Sequence, residues 1–156
     1  MKATTILFLL SMFFGGCNYH GNGSDNSTAR IKTIIEQKSK DLIEVATKLD
    51  MDSIITFYDK DVSAIEQGHM HSNSRDFISS YKSALESVAE VHQIDIVDPR
   101  IKVLSEQVAI YEAKLEQDIT LKNGQRIEAI NVLTLVYNWT DEDWKIVHHH
   151  GSFPVE

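Results

Sequence analysis

Residues 109–139 read AIYEAKLEQDITLKNGQRIEAINVLTLVYNW. The segment 109–119 alternates apolar and polar side chains, which is typical of a β-strand with one buried face. Asn123 and Gly124 then separate this run from a second one, and Asn-Gly between two strand-like runs is the strongest short-range signal for a hairpin. The second run, 127–139, is apolar on both faces. The stretch therefore predicts two long antiparallel strands at the centre of a sheet.

The period of two continues on both sides of this hairpin. Downstream, the acidic turn 141–143 leads into a last strand over 144–152. Upstream, two short strands are predicted over 92–97 and 101–104, and Pro99 between them is expected to interrupt the ladder because it has no N–H to donate. The second half of the chain is therefore predicted to be a curved antiparallel meander.

The first half of the chain has a helical period instead. Apolar residues spaced by three and four predict one amphipathic helix over 29–50. A short helix, a strand over 62–67, a loop over 68–74 and a third helix from Ser74 are predicted to follow. The residues of the first stripe are Ile31, Ile34, Ile35, Leu42, Val45, Ala46 and Leu49. Helices followed by strands predict an α+β fold, one domain over 29–156, with the helices packed on one face of the sheet.

Composition excludes two classes of protein. The chain has 15 basic and 23 acidic residues and a formal net charge of −8, and the basic residues are scattered. Nucleic acid binding needs clustered Lys and Arg to displace counterions, so we expect no nucleic acid partner. A single cysteine excludes an intrachain disulfide, so packing alone must hold the domain together.

The first residues are typical of an export signal. A positive start at Lys2 precedes an apolar run over 6–14, which is too short to cross a bilayer. Gly15 and Gly16 then stand directly before Cys17, a spacing that resembles the bacterial lipobox. This resemblance implies a signal peptide over 1–16 and lipidation at Cys17, whereas ordinary secretion with a free thiol is the alternative.

The polar segment 17–28 is rich in Gly, Ser and Asn and has no period. Such a composition predicts a flexible tether between the lipid anchor and the domain. We therefore expect a lipoprotein of the cell envelope, on the periplasmic side of the inner or the outer membrane.

The last strand also carries a family resemblance. Its sequence WKIVHHHGS over 144–152 is similar to the W-x-I-V-H-x-H-x-S pattern of the SnoaL-like, or nuclear-transport-factor-2-like, superfamily. The association (hub) domain of calcium/calmodulin-dependent protein kinase II is similar to further parts of this chain, namely 62–66, 95–99, 101–104, Thr134 and Val136. The resemblance covers about 30–154. It implies a cone-shaped domain whose sheet wraps around the long helix and leaves a pocket at the wide end.

The resemblance also shows where this chain departs from the hub domain. Arginines of the hub pocket would fall at Leu135 and Gly151, and a histidine would fall near Ile78. A carboxylate ligand held by those side chains is therefore not expected here.

The triple histidine offers candidate site residues. Strict alternation puts His148 and His150 on one side of the last strand, together with Trp144 and Ile146, and puts His149 on the other side. A His-x-His pair can hold a divalent metal if a third ligand converges, and the candidates for that ligand are His69, His71 and Glu66. Because the resemblance makes the histidine pair an ordinary family feature, we expect structural histidines, no bound metal and no cofactor.

Enzymes of the superfamily, such as ketosteroid isomerases, polyketide cyclases and epoxide hydrolases, place an acid or base in an apolar pocket. The candidates for that role are Glu66, His148 and His150. Side chains expected to line the pocket and to hydrogen-bond a ligand or a developing oxyanion are Tyr58, Tyr81, Tyr111, Asn131, His148 and His150. Glu66 ends an apolar strand, and a solvated strand end is the simpler interpretation of its position.

Three functions remain open at this point. The domain binds a small apolar ligand, or it assembles with itself through the two-sided strand 127–139, or it is an isomerase, cyclase or hydrolase that uses a pocket Glu or His. Binding or assembly is favoured because the sequence contains polar pocket residues without a complete set of catalytic groups. A homodimer is expected in each case.

Overall fold

The structure, a computed structural model, describes residues 22–153, so the predicted signal peptide 1–16 and the predicted lipidation site Cys17 lie outside it. Three helices and six strands follow one another along the described chain. The helices are α1 Asn22–Thr47, α2 Met51–Ile55 and α3 Ser74–Glu86. The strands are β1 Tyr58–Glu66, β2 His69–Met70, β3 Val88–Ser105, β4 Val108–Leu121, β5 Arg126–Thr140 and β6 Asp143–Ser152.

Helix α1 begins at Asn22, whereas the sequence predicted a helix only from Ala29. The segment 22–28, predicted to be part of a flexible tether, is therefore helical. Once a helix exists, each added residue gains a backbone hydrogen bond without a new nucleation cost, so a polar segment can extend it. The buried side of α1 follows the predicted spacing, with Ile31, Ile35 and Leu42 in the core.

The six strands form one open, curved sheet in the order β2-β1-β6-β5-β4-β3. The meander β3–β6 is antiparallel, as predicted. Strand β1, however, pairs with β6 in parallel, which makes the sheet mixed. The long connection through β2, α3 and the meander allows this parallel pairing, because parallel neighbours need a crossover and cannot be joined by a tight turn. The α+β fold class is confirmed.

Pro99 does not end a strand, so that prediction is wrong. Strand β3 continues through Pro99, and the register with β4 shifts between Val97 and Arg100. Asp98 has a φ of 51° at this shift, which is a β-bulge. Because β3 is the edge strand of the sheet, the proline does not remove a ladder hydrogen bond that a neighbour needs. The bulge bends the strand and adds to the curvature of the sheet.

Two tight turns connect the last three strands. Gly124 has a φ of 85°, and the predicted Asn-Gly hairpin between β4 and β5 is confirmed. Asp141 and Glu142, with φ values of 49° and 67°, form a two-residue turn between β5 and β6. Positive φ at both central residues matches the right-handed twist of the two strands.

The core lies between α1 and the concave face of the sheet. Tyr137 and Leu135 of β5 are fully buried there against Ile35. The Tyr137 hydroxyl group forms a 3.0 Å hydrogen bond with Ser39 of α1, so this buried polar pair is satisfied. Within residues 22–153, no helix combines the length and the apolar character that crossing a bilayer requires.

Candidate functional site

A cavity of about 550 Å³ lies between α1, α3 and the concave face of the sheet. Its walls are mainly aliphatic and come from both helices and from strands β3 to β5. They include Leu42, Ile43, Ala46, Leu85, Val91, Ile94, Leu115, Ile119 and Leu133. A cavity of this size and character is typical of a small-molecule site. A second depression, of about 630 Å³, lies over β3, β4 and β5, but it is wide open and carboxylates such as Asp95 and Glu116 line it.

A β-bulge in β6 decides which histidine enters the cavity. Ile146 pairs with Tyr137 and His148 pairs with Val136, so Val147 is an extra residue in β6. The extra residue shifts the alternation, and His149, which is 5% exposed, joins Ile146 on the concave face. The prediction that His148 and His150 line the pocket is therefore wrong. His150 is exposed, and His148 bonds Ser63 through Nδ1 at 2.8 Å on the outer face.

His149 lies at the centre of a buried polar cluster at one end of the cavity. Its Nδ1 lies 3.0 Å from the Tyr58 hydroxyl group, and its Nε2 lies 3.7 Å from Oε1 of Glu66. Burial, and after it the neighbouring histidines, lowers the pKa of His149 to about 3. Burial also raises the pKa of Tyr58 well above 10. Tyr58 therefore keeps its proton, and the arrangement favours donation from Tyr58 to Nδ1 while Nε2–H faces the carboxylate.

Glu66 lies inside the cavity, at the end of the apolar strand β1, and not at a solvated strand end. Its side chain is 23% exposed, and Oε2 lies 3.3 Å from Nε2 of His71. Desolvation raises the pKa of Glu66, while the attraction of His71 opposes that rise. A carboxyl group whose pKa is raised by burial takes up a proton more readily than an exposed one, a property that general acid–base chemistry uses.

Three of the predicted tyrosine and asparagine residues line the cavity, and one does not. Tyr58, Tyr81 and Asn131 face it. Burial raises the pKa of Tyr81 to about 12, and its ring stacks on Phe77 with 5.7 Å between the ring centroids. Tyr111 is instead buried in the core, 1% exposed, so its prediction as a pocket residue is wrong. Alternation alone could not separate a core position from a cavity position on the same face.

Gly151 of β6 makes room for the polar cluster. A Cβ atom at this position would lie 3.2 Å from Nε2 of His149 and 3.7 Å from Oδ1 of Asn131. Oδ1 of Asn131 is buried and has no hydrogen-bond partner within the described chain. Since buried polar atoms are normally satisfied, this oxygen is an open acceptor at the polar end of the cavity.

Sequence reasoning missed His149, although it named both of its partners, Tyr58 and Glu66. The bulge at Val147 has no sequence signal, because neither a glycine nor a proline marks it. The sequence did single out Glu66, His69 and His71, and the structure brings these three side chains to the same end of the cavity.

The comparisons with known proteins agree with this architecture. A family model described as a SnoaL-like domain matches residues 35–156. No curated protein matches the sequence.

Solved structures of similar shape come from bacteria and from an animal. An NTF2-like protein of unknown function from Pseudomonas putida has a TM-score of 0.70 and 12% identity, covering 82% of this chain and 89% of that one. A ketosteroid isomerase-like protein from Erwinia carotovora has a TM-score of 0.69 and 16% identity, with coverage of 80% and 96%. The association domain of CaMKII from C. elegans has a TM-score of 0.65 and 16% identity, with coverage of 82% and 98%. At these identities, the likeness shows the fold alone.

Lowering the pH from 7.5 to 5 is expected to destabilise the fold through His149. In the unfolded chain this imidazole takes up a proton near its ordinary pKa of 6.5, whereas in the fold its pKa is about 3. Between these values only the unfolded state holds the proton, so the free energy of unfolding falls as the pH falls. The expected loss from this residue is about 2 kcal/mol, measured by urea unfolding at the two pH values.

The matched pair His149→Gln and His150→Gln tests this assignment. His149→Gln should remove most of the loss between pH 7.5 and 5, while the exposed control His150→Gln should keep it. The raised pKa of Glu66 contributes with the opposite sign, because the folded state then binds a proton more readily than the unfolded state. An equal pH dependence in both variants would show that His149 is not the responsible group.

Proposed function

This chain belongs to the SnoaL-like domain family, and we propose that its cavity binds a small, largely apolar molecule that carries a neutral hydrogen-bonding group. The observation that carries the proposal is the buried, unpartnered Oδ1 of Asn131 at the polar end of an otherwise aliphatic cavity. Aliphatic walls supply affinity through the burial of apolar surface, and a few polar groups orient the ligand.

The polar end favours a ligand group that donates a hydrogen bond. Oδ1 of Asn131 and the carboxyl oxygens of Glu66 are acceptors, and both residues line the cavity. None of the described residues that line it is a lysine or an arginine. A carboxylate ligand would therefore enter without a cationic partner and beside Glu66, which is unfavourable in a desolvated site. A hydroxyl group on an apolar skeleton fits these constraints.

Acid–base catalysis in the same cavity is the alternative. The raised pKa of Glu66 suits it to take a proton from a bound molecule, and the cavity-lining Tyr81 can donate a hydrogen bond to the developing oxyanion. Such a pair matches an isomerase, cyclase or hydrolase, and one structural neighbour is described as ketosteroid isomerase-like.

Thermal unfolding of the full chain is expected to respond to neutral hydroxylated steroids or polycyclic aromatics. A compound that binds only the folded state adds about 2.7 kcal/mol at a concentration of one hundred times its dissociation constant, which raises the unfolding midpoint. The carboxylate analogue of the same skeleton should give a much smaller shift. Glu66→Gln and Asn131→Ala should reduce the shift, and His150→Ala, outside the cavity, should leave it intact.

Two results would contradict the binding proposal: no response to any neutral compound, or an equal response to the carboxylate analogue. For every compound that binds, exchange of its carbon-bound hydrogens with deuterated water, followed by NMR, tests the catalytic alternative. Exchange that the wild type catalyses and Glu66→Gln does not would establish acid–base chemistry.

The outer face of the sheet supports self-assembly as a second function. Ile130 and Val132 of β5 are large apolar side chains, 42% and 44% exposed, on the face opposite the core. Their neighbours across the strands include Lys114 and Glu116, so the patch is apolar with a charged rim. Such a surface is typical of an interface between protein chains. We propose that a second copy of the chain covers this face in a homodimer, and structural neighbours include an association domain.

Sedimentation velocity is expected to give a dimer for the wild type and a monomer for Val132→Asp. A charge at position 132 would be buried without a partner in the dimer, which disfavours assembly. Leu104→Asp is the matched control, because Leu104 is 53% exposed on the edge strand β3. A monomeric wild type, or the same loss of dimer in both variants, would count against this interface.

We further propose that the domain is held at the cell envelope by lipidation of Cys17. The support is the order of features in the sequence: a positive start, a short apolar run, Gly15-Gly16 and then the single cysteine. The described chain is already helical at Asn22, five positions after Cys17 in the sequence. This short spacing would keep the domain close to the periplasmic side of the inner or the outer membrane.

After expression in a Gram-negative host, the wild type and Cys17→Ser are expected to differ in their association with the membrane fraction. The wild type should sediment with membranes, resist extraction by high salt and be released by detergent, because two or three acyl chains give stable anchoring. Cys17→Ser should lose labelling by radioactive palmitate and leave the membrane fraction. Membrane association that survives the substitution would exclude the lipid anchor.

A further inference from the structure

We infer that a divalent transition-metal ion such as Zn²⁺ binds at the mouth of the cavity, between His69, His71 and Asp76. One ligand atom from each residue lies within 4.8 Å of the other two. Within residues 22–153, this is the single group of three or more His, Cys, Asp or Glu side chains with this geometry. Imidazole nitrogen and carboxylate oxygen are ligands that Zn²⁺ prefers.

A tight hairpin positions the two histidines. Gln67 and Gly68, with φ values of 52° and 76°, turn the chain between β1 and β2. The turn places His69 directly opposite Glu66 in the ladder. The backbone N–H of His71 then donates to the carbonyl oxygen of Ala64 at 3.1 Å, and this hydrogen bond positions the backbone of His71 beside β1.

His71 supplies the observation that points to a ligand. Its side chain is 4% exposed, and its Nδ1 atom is buried without a hydrogen-bond partner. The closest carboxylate oxygen, Oδ2 of Asp76, lies 3.6 Å from Nδ1, beyond hydrogen-bond distance. A buried imidazole nitrogen that faces a carboxylate without bonding to it is the arrangement expected when a metal ion joins the two groups.

Glu66 completes the arrangement from the other side of the ring. Its Oε2 lies 3.3 Å from Nε2 of His71 and can accept a hydrogen bond from a proton on that nitrogen. With Nε2 protonated, Nδ1 carries the lone pair that a metal needs. Metal-binding histidines in proteins almost always donate their second N–H to a carboxylate or carbonyl in this way, and the outer carboxylate orients the ring.

Asp76 and His69 can supply the other two ligands of the metal ion. Asp76 lies in the first turn of α3, where the backbone N–H and the hydroxyl group of Ser72 donate to its Oδ2 at 3.1 and 3.2 Å. His69 is exposed, so rotation of its side chain can bring a ring nitrogen from within 4.8 Å of the other two ligand atoms to the spacing of a tetrahedral site with bonds of about 2.0–2.1 Å. Three protein ligands leave a fourth position for water or for a molecule in the cavity.

The site differs from the histidine pair that the sequence singled out. His148 and His150 lie on the outer face of the sheet, whereas His71 lies among the cavity-lining residues on the concave side. The two locations can therefore be separated by single substitutions. The metal proposal is independent of the proposed small-molecule ligand, whose thermal shift can be measured after the metal has been removed.

The test is zinc titration of the untagged full chain, freed of metal with EDTA, by isothermal titration calorimetry. One equivalent of zinc is expected to bind. His69→Ala should weaken binding more than 10-fold without a threat to folding, because His69 is exposed. Glu66→Gln keeps all three ligands and should weaken zinc binding by about 10- to 100-fold, as loss of an outer carboxylate does. Circular dichroism verifies that both variants are folded.

His150→Ala and Cys17→Ser are the matched controls, and both should bind zinc as tightly as the wild type. Cobalt absorption spectra add a readout of the ligands, since a sulfur-to-cobalt charge-transfer band would reveal Cys17. The absence of stoichiometric zinc binding would overturn the proposal. It would equally be overturned if binding survived in His69→Ala and was lost in His150→Ala or Cys17→Ser.

Discussion

The β-bulge at Val147 is the constraint on which the rest of the cavity depends. One extra residue in β6 turns His149 towards the concave face and leaves His148 and His150 on the outer face. Because β1 runs parallel to β6 beyond the bulge, Glu66 arrives next to Gly151, where a glycine leaves room for the His149 ring. Without the bulge, the same strands would present a different histidine set to the cavity and would separate Tyr58 from its imidazole partner.

Desolvation gives the polar end of the cavity its chemical character. The same burial lowers the pKa of His149, raises the pKa of Glu66 and raises the pKa values of Tyr58 and Tyr81. Each change favours the neutral form of the group, since a charge is costly where water is excluded. The cavity therefore favours neutral hydrogen-bonding partners. At Glu66 the attraction of His71 opposes this effect, because it lowers the pKa that burial raises.

Glu66 links the two parts of the site. Its Oε1 faces His149 inside the cavity, and its Oε2 faces His71 at the mouth. The two histidines therefore share a single carboxyl group. The short β1–β2 hairpin sets this geometry, because its turn places His69 opposite Glu66 and a backbone hydrogen bond positions His71.

The sequence by itself determined the α+β class and the long hairpin at Asn123-Gly124, because hydrophobic period and turn chemistry are local properties of the chain. It named Glu66 as a candidate, but only the structure placed that carboxyl group in the cavity. Only the tertiary structure decided that β1 pairs in parallel with β6, that His149 replaces its two neighbours in the cavity and that Tyr111 belongs to the core. It also decided that Asp76 meets His71. A period of two describes a strand only until its register shifts, as it does at Val147 where β6 pairs with β5. The cavity also depends on the pairing of β6 with β1, whose partners lie more than eighty residues apart, and local patterns contain neither the shift nor this pairing.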